Sequence, residues 1–298
     1  MAQVSGKDFL DLSGYAAGSL ANLIENAAQI KRESYRGRDL AGQALALVFE
    51  KPSLRTRTTL ELAAFQLGAH AVYLDQKQIG LGEREPVVDV AKNLSRWVDA
   101  IAARVYRHQT VWELAQASSV PVINALSDYS HPLQALADLL TLKEEFGRLE
   151  GLRVAWVGDG NNVLASLIEA ADLVGMEIAV ASPKDYQLPE EQRGKASFYF
   201  TPQEAVAGAQ AVYTDVWVSM GQENQADQRR RDFAGFEVTP ELLEQASPEA
   251  IFMHCLPAHY GEETTPEVVH GPRSRAFDQA ENRLHTAKAL LLKLLGEK

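Results

Sequence analysis

The stretch "LRVAWVGDGNNVLASLIEAADLVG", residues 152–175, joins an apolar run, a glycine-containing turn and a long amphipathic segment. Such a strand, tight turn and helix form the repeating unit of α/β proteins with parallel sheets. Gly175 follows the last apolar position, where glycine commonly ends a helix. The stretch therefore predicts one strand–turn–helix unit, with two asparagines exposed in the turn.

The same alternation continues on both sides of this stretch. Strand candidates are "LALVF", "AVYLD", "AIAARVY" and "VPVINAL" before it, and "EIAVASP", "AQAVYTDVW" and "AIFMHCLP" after it. The pattern restarts after Gly147, so we predict an α/β fold with two domains, each a parallel sheet flanked by helices. The predicted domains are 1–146 with the C-terminal helix 279–298, and 147–278. Ligands of such sheets bind beyond the carboxyl ends of the strands, which places the site in strand-to-helix turns, in the cleft between the halves.

Composition and charge exclude several classes of partner. The 298 residues include 29 basic and 40 acidic side chains, a net charge of -11, so neither nucleic acid nor an anionic membrane is an expected partner. Cys255 is the only cysteine and fits a reducing compartment. The N-terminal stretch lacks the features of a signal peptide, and "ALLLKLLG" is too short to span a bilayer. These features predict a cytoplasmic protein.

The segment "KPSLRTRT", residues 51–58, favours an anion site at the start of a helix. Ser53 is a good N-cap, so the first turn offers backbone N–H groups and the positive end of the helix dipole. Arg55 adds a guanidinium group suited to phosphate or carboxylate. Arg57 points away from Arg55 if the helix has begun, and is interpreted as structural support paired with Glu61. A capped helix with this ion pair and no ligand is the alternative.

Two further motifs of the first half carry hydrogen-bond donors. "HPLQ" places His131 and Gln134 three residues apart at a helix start, where both point the same way. They can serve one small substrate, although a histidine before proline is also a common helix cap. Arg104 ends a predicted strand, where these folds hold ligand contacts, though such an arginine is often only solvated.

In the second half, "GDGNN" begins like a dinucleotide fingerprint, but Val163 stands where the pattern requires Gly or Ala, so we expect no nicotinamide site. "TDVWVSMGQE" offers Asp215 and Ser219 for an amino acid's charged groups, and Gly221 suggests a movable loop. In "HCLP", Leu-Pro permits a cis bond that turns a carbonyl toward a ligand. His254 and Cys255 are adjacent and should face opposite ways on a strand, so we expect no metal site.

Taken in order, "KPSLRTR", "ARVYRHQT", "HPLQ", "GDGNN", "DVWVSMGQE", "HCLP" and "AENR" resemble the ornithine carbamoyltransferases over nearly the whole chain. "SxRTR" with "HPxQ" is general to carbamoyltransferases, whereas "SMG" with "HCLP" is specific to the ornithine branch. The resemblance implies transfer of the carbamoyl group of carbamoyl phosphate to L-ornithine, giving L-citrulline and phosphate, in arginine biosynthesis or, in reverse, arginine catabolism. It also implies no metal or organic cofactor, long interdomain helices, and a homotrimer or an assembly of trimers.

The resemblance assigns each site residue a role. For carbamoyl phosphate it implies Ser53, Leu54, Arg55, Thr56, Gln78 (reaching a neighbouring subunit's site), Arg104, His131, Gln134, Leu256 and Arg283. For ornithine it implies Asn162, Asp215, Ser219, Met220 and Cys255. The catalytic members of this set are Arg104, His131, Asp215 and Cys255.

The chemistry agrees with these roles. Attack by an amine on the carbamoyl carbon builds negative charge on the carbonyl oxygen, where Arg104, Thr56 and His131 are the available donors. The amine must also lose a proton, for which Asp215 and Cys255 are candidates, with the final base left open.

Two positions depart from the family pattern: Leu54 stands where threonine is usual, and Tyr260 where many bacterial members carry arginine. Leucine at the first position also resembles acetylornithine relatives. The open alternatives are therefore a carbamoyltransferase for putrescine or an N-acylated ornithine, and a catalytically silent relative that binds small anions.

Overall fold

The computed structural model describes residues 7–219 and 221–296, whose strands form two parallel sheets of four and five strands. The chain divides into two compact units, which we call unit 1 (Met1–Leu140 with Asn282–Lys298) and unit 2 (Thr141–Glu281). The predicted fold class, α/β with two parallel sheets flanked by helices, is confirmed.

Unit 1 is built around a sheet with the strand order β2-β1-β3-β4. Its strands are β1 (Ala44–Phe49), β2 (His70–Asp75), β3 (Ala100–Arg104) and β4 (Val122–Leu126). The helices that begin in it before the second sheet are α1 (Ala17–Arg32), α2 (Leu54–Gln66), α3 (Gln76–Ile79), α4 (Val87–Leu94), α5 (His108–Ala117) and α6 (Pro132–Phe146). Every residue of β3 is buried, as expected for a central parallel strand covered on both faces.

Unit 2 is built around a sheet with the strand order β7-β6-β5-β8-β9. Its strands are β5 (Arg153–Val157), β6 (Glu177–Ala181), β7 (Ser197–Tyr199), β8 (Ala211–Thr214) and β9 (Ile251–His254). Its helices are α7 (Asn162–Val174), α8 (Pro202–Val206), α9 (Ala226–Asp232), α10 (Pro240–Leu243) and α11 (Pro266–Val269), with short 3-10 turns at Lys184–Tyr186, Glu190–Gln192 and Glu223–Gln225. The last helix, α12 (Ala276–Leu295), begins in unit 2 and ends in unit 1.

The strand–turn–helix unit predicted at residues 152–175 is present as β5 and α7, and Gly175 ends α7 in the left-handed conformation. Gly160 has no room for a side chain, because a Cβ atom there would lie 2.5 Å from the Leu188 amide nitrogen and 2.6 Å from the Tyr186 carbonyl oxygen. The Gly160 N–H donates to that carbonyl at 2.8 Å. The glycine thus allows close backbone packing beside the turn.

Two short elements were not predicted from the sequence. The segment "QKQIGLGERE" after β2 begins with the short helix α3, because the Asp75 carboxylate accepts a hydrogen bond from the Gln78 N–H at 3.0 Å and caps it. The three-residue strand β7 was not predicted; it pairs with β6 at the edge of its sheet. In the described part of the chain, no helix is both long and apolar enough to cross a membrane.

Candidate active site

The start of α2 presents a capped first turn, as the sequence predicted. Ser53 has an extended backbone, and its hydroxyl oxygen accepts a hydrogen bond from the Thr56 N–H at 3.2 Å. Leu54 occupies the first helical position and is 76% exposed. The positive end of the α2 dipole therefore lies beside β1, at the carboxyl edge of the sheet.

The two arginines of "SLRTRT" serve different surroundings. The Nε atom of Arg57 lies 2.9 Å from Glu61, and its guanidinium group covers the Tyr73 ring at 3.6 Å from the centroid. The predicted structural pairing of Arg57 with Glu61 is confirmed. Arg55 is half-buried instead, and its charge contributes to lowering the pKa of His131.

Arg283 joins two predicted site residues within unit 1. Its Nη2 atom donates to the Thr56 hydroxyl at 3.1 Å, and its Nη1 atom donates to the side-chain oxygen of Gln134 at 2.7 Å. The amide nitrogen of Gln134 in turn donates to Asp138 at 2.9 Å. All four side chains are buried. The guanidinium group of Arg283 thus fixes the orientation of the Gln134 amide and of the Thr56 hydroxyl.

His131 is buried and held in its neutral form. Burial lowers its pKa well below the ordinary range, and the charges of Arg283, Arg104 and Arg55 lower it further. A neutral imidazole can still donate one hydrogen bond from a ring N–H. Its surroundings are therefore positively charged, whereas its own ring acts as an uncharged hydrogen-bonding group.

Arg104 is the last residue of β3 and is buried at the carboxyl end of that strand. The pairing of β3 with β4 shifts register between Ala103 and Arg104, which marks an irregularity where the strand ends. The pKa of the Lys51 ammonium group is lowered. Burial is the main cause, and the charge of Arg104 is the second. Lys51 was not among the predicted site residues, although its place two residues after the end of β1 was an available signal.

Gln78 lies in α3, outside the hydrogen-bonded network of Arg283 described above. Its backbone N–H donates to Asp75, and its carbonyl oxygen accepts from Arg84 at 3.4 Å. The role predicted for its side chain, in a neighbouring subunit's site, stays a prediction.

Asp215 is the centre of the second group of predicted residues, in unit 2. Its Oδ1 atom accepts from the Cys255 thiol at 2.9 Å and from the Val216 N–H at 2.8 Å. Its Oδ2 atom accepts from the side-chain nitrogen of Asn161 at 2.8 Å. The structure therefore brings together Asp215 and Cys255, which follow the adjacent strands β8 and β9.

Asn161 belongs to the turn predicted after β5, but it was not among the predicted site residues. Its side-chain oxygen caps α7 by accepting from the N–H groups of Val163 at 2.9 Å and Leu164 at 3.2 Å, while its nitrogen serves Asp215. Asn162, which was predicted to bind ornithine, is the first residue of α7. The cap thus ties the start of α7 to Asp215.

The segment after β8 contains the other predicted ornithine ligands. The Ser219 N–H donates to the Gln222 side chain at 3.2 Å, and Ser219 is half-buried. Met220 lies outside the described residues. Gly221 has a φ of 95°, a left-handed conformation that favours glycine, and its N–H donates to the Glu223 carboxylate at 3.0 and 3.1 Å.

A buried ion pair that the sequence did not reveal supports this segment. Arg229 of α9 donates through Nη1 to Asp159 at 3.0 Å and to the Trp217 carbonyl oxygen at 2.7 Å. Its guanidinium group also covers the Tyr186 ring at 4.8 Å from the centroid. Burial raises the pKa of Asp159 to about 6, although Arg229 acts in the opposite direction. The pair links the turn after β5 to the backbone two residues before Ser219.

The "HCLP" segment corrects one prediction. β9 ends at His254, and side-chain atoms of Asp215, His254 and Cys255 lie within 4.8 Å of one another. The expectation that His254 and Cys255 face opposite ways was wrong, because the chain leaves the strand between them. Leu256 has a φ of 58°, and the Leu256–Pro257 bond is cis, as the sequence permits.

Two protein-family models match the chain. The family model of the aspartate/ornithine carbamoyltransferase carbamoyl-P binding domain matches residues 7–144, and that of the Asp/Orn binding domain matches residues 150–294. The chain belongs to the aspartate/ornithine carbamoyltransferase family. Its relatives include ornithine carbamoyltransferases.

The chain is 66% identical over 291 residues to the ornithine carbamoyltransferase of Thermus thermophilus, covering 97% of both sequences. It is 50% identical to that of Deinococcus radiodurans, covering 99% of this chain and 98% of the relative. Among solved structures, the ornithine carbamoyltransferase of Pyrococcus furiosus aligns with a TM-score of 0.93 at 44% identity, covering 100% of each chain. A Thermus thermophilus structure aligns with a TM-score of 0.92 at 64% identity, covering 97% of this chain and 99% of that one.

Two positions, Leu54 and Tyr260, depart from the residues usual in this carbamoyltransferase family. Leu54 keeps a helical backbone, so its N–H remains part of the first turn of α2. Tyr260 is half exposed, and its hydroxyl group lies 3.1 Å from the His270 ring nitrogen. Neither side chain takes part in the two clusters described above.

The buried Asp159 predicts a distinctive pH dependence of stability. Because its folded-state pKa of about 6 exceeds the ordinary 3.8, the folded protein binds the proton more tightly than the unfolded chain does. The stability that this proton gives is complete below pH 3.8 and is lost as the pH rises through about 6, by roughly 3 kcal/mol at most. Asp159→Asn should therefore become more stable relative to the unsubstituted protein as the pH rises from 4 to about 6.

The measurement is the melting temperature of both proteins across that pH range. Asp185→Asn, at an exposed position, is the matched control and should show no such trend. A pH-independent difference between Asp159→Asn and the parent protein would contradict the raised pKa.

Proposed function

We propose that this ornithine carbamoyltransferase holds carbamoyl phosphate with the polar cluster of unit 1 and L-ornithine with the Asp215 cluster of unit 2. The reaction forms a bond between the side-chain nitrogen of ornithine and the carbamoyl carbon, and breaks the bond from that carbon to the phosphate oxygen. The products are L-citrulline and phosphate, so the activity belongs to arginine metabolism.

One observation carries the assignment in unit 1: the charges of Arg55, Arg104 and Arg283 all act on buried His131. Three arginines around one histidine make this part of unit 1 locally positive, and a phosphate group offers the matching negative charge. Ser53, Leu54, Arg55 and Thr56 form the N-terminal turn of α2, which binds the phosphate through its N–H groups and the Arg55 guanidinium group.

The carbonyl oxygen of the carbamoyl group gains negative charge during attack. Arg104 supplies a charged donor to it, and neutral His131 supplies a ring N–H. Gln134 accepts from Arg283 through its oxygen, and in the complex it binds the carbamoyl NH2 group. Because Arg283 already orients this amide, little reorganisation is needed on binding.

In unit 2, the carboxylate of Asp215 and the thiol of Cys255 form the environment of the amine. An ammonium group cannot attack, so a proton must leave the ornithine side chain before or during the reaction. The Cys255 thiol donates to Asp215, and this contact supports a role for the carboxylate in accepting a proton or a hydrogen bond from the amine nitrogen. Asn162, Ser219 and Met220 bind the amino-acid end of ornithine, and the carbonyl group of Leu256 faces the reacting groups.

The proposed assembly is a homotrimer in which Gln78 reaches the site of a neighbouring subunit, and the proposed location is the cytoplasm. The fit of a lone cysteine to a reducing compartment supports the location. Light scattering should give a mass of three chains or a multiple of three, and a monomer at working concentration would contradict the assembly.

A direct test of the reaction compares three amines with carbamoyl phosphate: L-ornithine, putrescine and N-acetyl-L-ornithine. Colorimetric detection of ureido products should show turnover with ornithine far above the other two. Preference for either alternative amine would change the substrate, and no product from any amine would reject the enzymatic function.

The two arginines of α2 provide a matched pair of variants for the phosphate site. Arg55→Ala should raise the KM for carbamoyl phosphate about 10- to 150-fold, since hydrogen bonds to charged groups contribute about 1.5–3 kcal/mol. Arg57→Ala removes only the surface pair with Glu61 and the contact with Tyr73 and should leave this KM nearly unchanged. Steady-state kinetics at saturating ornithine measure both, and equal effects would refute the division of roles.

A further inference from the structure

The segment that follows β9 is held by two buried side chains that the proposed reaction does not use. His254 and Glu263 are both fully buried in unit 2. The Nε2 atom of His254 lies 3.1 Å from the Glu263 Oε1 atom, and its Nδ1 atom lies 2.8 Å from the Leu256 amide nitrogen. The two contacts engage both ring nitrogens of the histidine.

These contacts determine the tautomer of His254. The Leu256 N–H can only donate, so the Nδ1 atom must accept and carry no proton. The Nε2 atom then carries the ring proton and donates it to the Glu263 carboxylate, as a carboxylate can only accept when ionised. The Glu263 carboxylate therefore selects the tautomer in which the Nδ1 lone pair of His254 accepts a hydrogen bond from the Leu256 N–H.

The rest of the surroundings fixes both side chains. The His254 backbone N–H donates to the Gln279 side chain at 3.0 Å, and the Glu263 Oε1 atom also accepts from the His259 N–H at 2.6 Å. Glu263 thus joins both ends of the segment 254–259, which contains Cys255 and Leu256. The adjacent Glu262 forms an ion pair with Arg230 at 3.0 Å.

Leu256 needs such support because of its backbone conformation. Its φ of 58° lies in the left-handed region, which carries an energetic cost for a residue with a side chain. A hydrogen bond from the same residue's N–H to the His254 ring offsets part of this cost and sets the direction of the peptide groups around it. Cys255 lies between His254 and Leu256 in the sequence, and its thiol donates a hydrogen bond to Asp215.

We propose that His254, oriented by Glu263, is a positioning residue that holds the Leu256 backbone and the Cys255 thiol in the geometry required for carbamoyl transfer. The proposal rests on the proposed function for the roles of these two groups in the reaction. In this arrangement His254 acts through the lone pair of its Nδ1 atom, rather than through a charge or a metal bond.

Two isosteric variants separate the two nitrogens. In His254→Asn the side-chain oxygen occupies the place of Nδ1 and can still accept from the Leu256 N–H. In His254→Gln the terminal amide occupies the place of Nε2 and can still donate to Glu263, while the acceptor for Leu256 is lost. Each variant loses one buried hydrogen bond, so similar losses of thermal stability are expected from both.

The kinetic expectation differs between them. His254→Gln should lower kcat about 10- to 100-fold, since a misplacement of about 1 Å near reacting groups has effects of this size. The KM for carbamoyl phosphate should stay nearly unchanged, because the unit 1 residues proposed to bind carbamoyl phosphate are not altered. His254→Asn should retain most of the kcat, and His270→Gln, at an exposed histidine, should behave as the parent protein.

A second measurement does not depend on turnover. Cys255 is the only cysteine of the chain, so alkylation by iodoacetamide, followed by intact mass, reports on this segment alone. His254→Gln should react faster than the parent protein, whereas His254→Asn should react at nearly the parental rate. Glu263→Met should also react faster, with Glu262→Met as its control.

The outcomes distinguish the two proposals. Equal kcat values and equal alkylation rates in the Asn and Gln variants would overturn the positioning role of His254. If the parent protein made no citrulline, the proposed function would fail, while the alkylation contrast would still test how the Leu256 backbone is held.

Discussion

The crowding of positive charge at one edge of the unit 1 sheet is the constraint on which its site depends. The pKa of buried His131 is lowered by the charges of Arg55, Arg104 and Arg283. The charge of Arg104 also lowers the pKa of buried Lys51. Like charges in a medium of low polarity repel strongly, so the fold must hold them in place by other interactions. Apolar burial of the β strands and the hydrogen bonds of Arg283 supply part of that support. The chain is acidic overall, so this local excess of positive charge stands out and favours an anionic ligand.

Unit 2 shows the opposite electrostatic design. Asp215 has three hydrogen-bond donors, from a side-chain amide, a backbone N–H and a thiol, and none of them is a cation. These neutral donors place no positive charge beside the carboxylate. The proposed binding of the amine and ammonium groups of ornithine in unit 2 rests on this arrangement.

The sequence predicted well whatever depends on local pattern. Alternating strands and helices, the Ser53 cap, and the pairing of Arg57 with Glu61 are all encoded within a few residues, and the structure contains each of them. The roles assigned to the site residues by resemblance stay predictions, though direct hydrogen bonds do join Thr56, Gln134 and Arg283, and likewise Asp215 and Cys255.

Contacts between distant positions could not be predicted in this way. The pair of Asp159 with Arg229 joins residues 70 positions apart, and no spacing rule relates a turn after β5 to a helix after β8. The error at His254 and Cys255 has a different cause. Alternation of side chains holds only while a strand continues, and the sequence did not show that β9 ends between them.

Two buried histidines illustrate how these units use the same side chain differently. His131 is kept neutral by burial and by three arginines, so it can donate to a developing negative charge without adding another cation. His254 is defined by its hydrogen bonds instead, because a donor at Nδ1 and a carboxylate at Nε2 leave one tautomer that satisfies both. In the first case the proposed role of the ring is to donate its N–H to the ligand; in the second the lone pair accepts a hydrogen bond from the backbone. A histidine in a motif therefore has no fixed role, and the groups around its two nitrogens decide which atom acts.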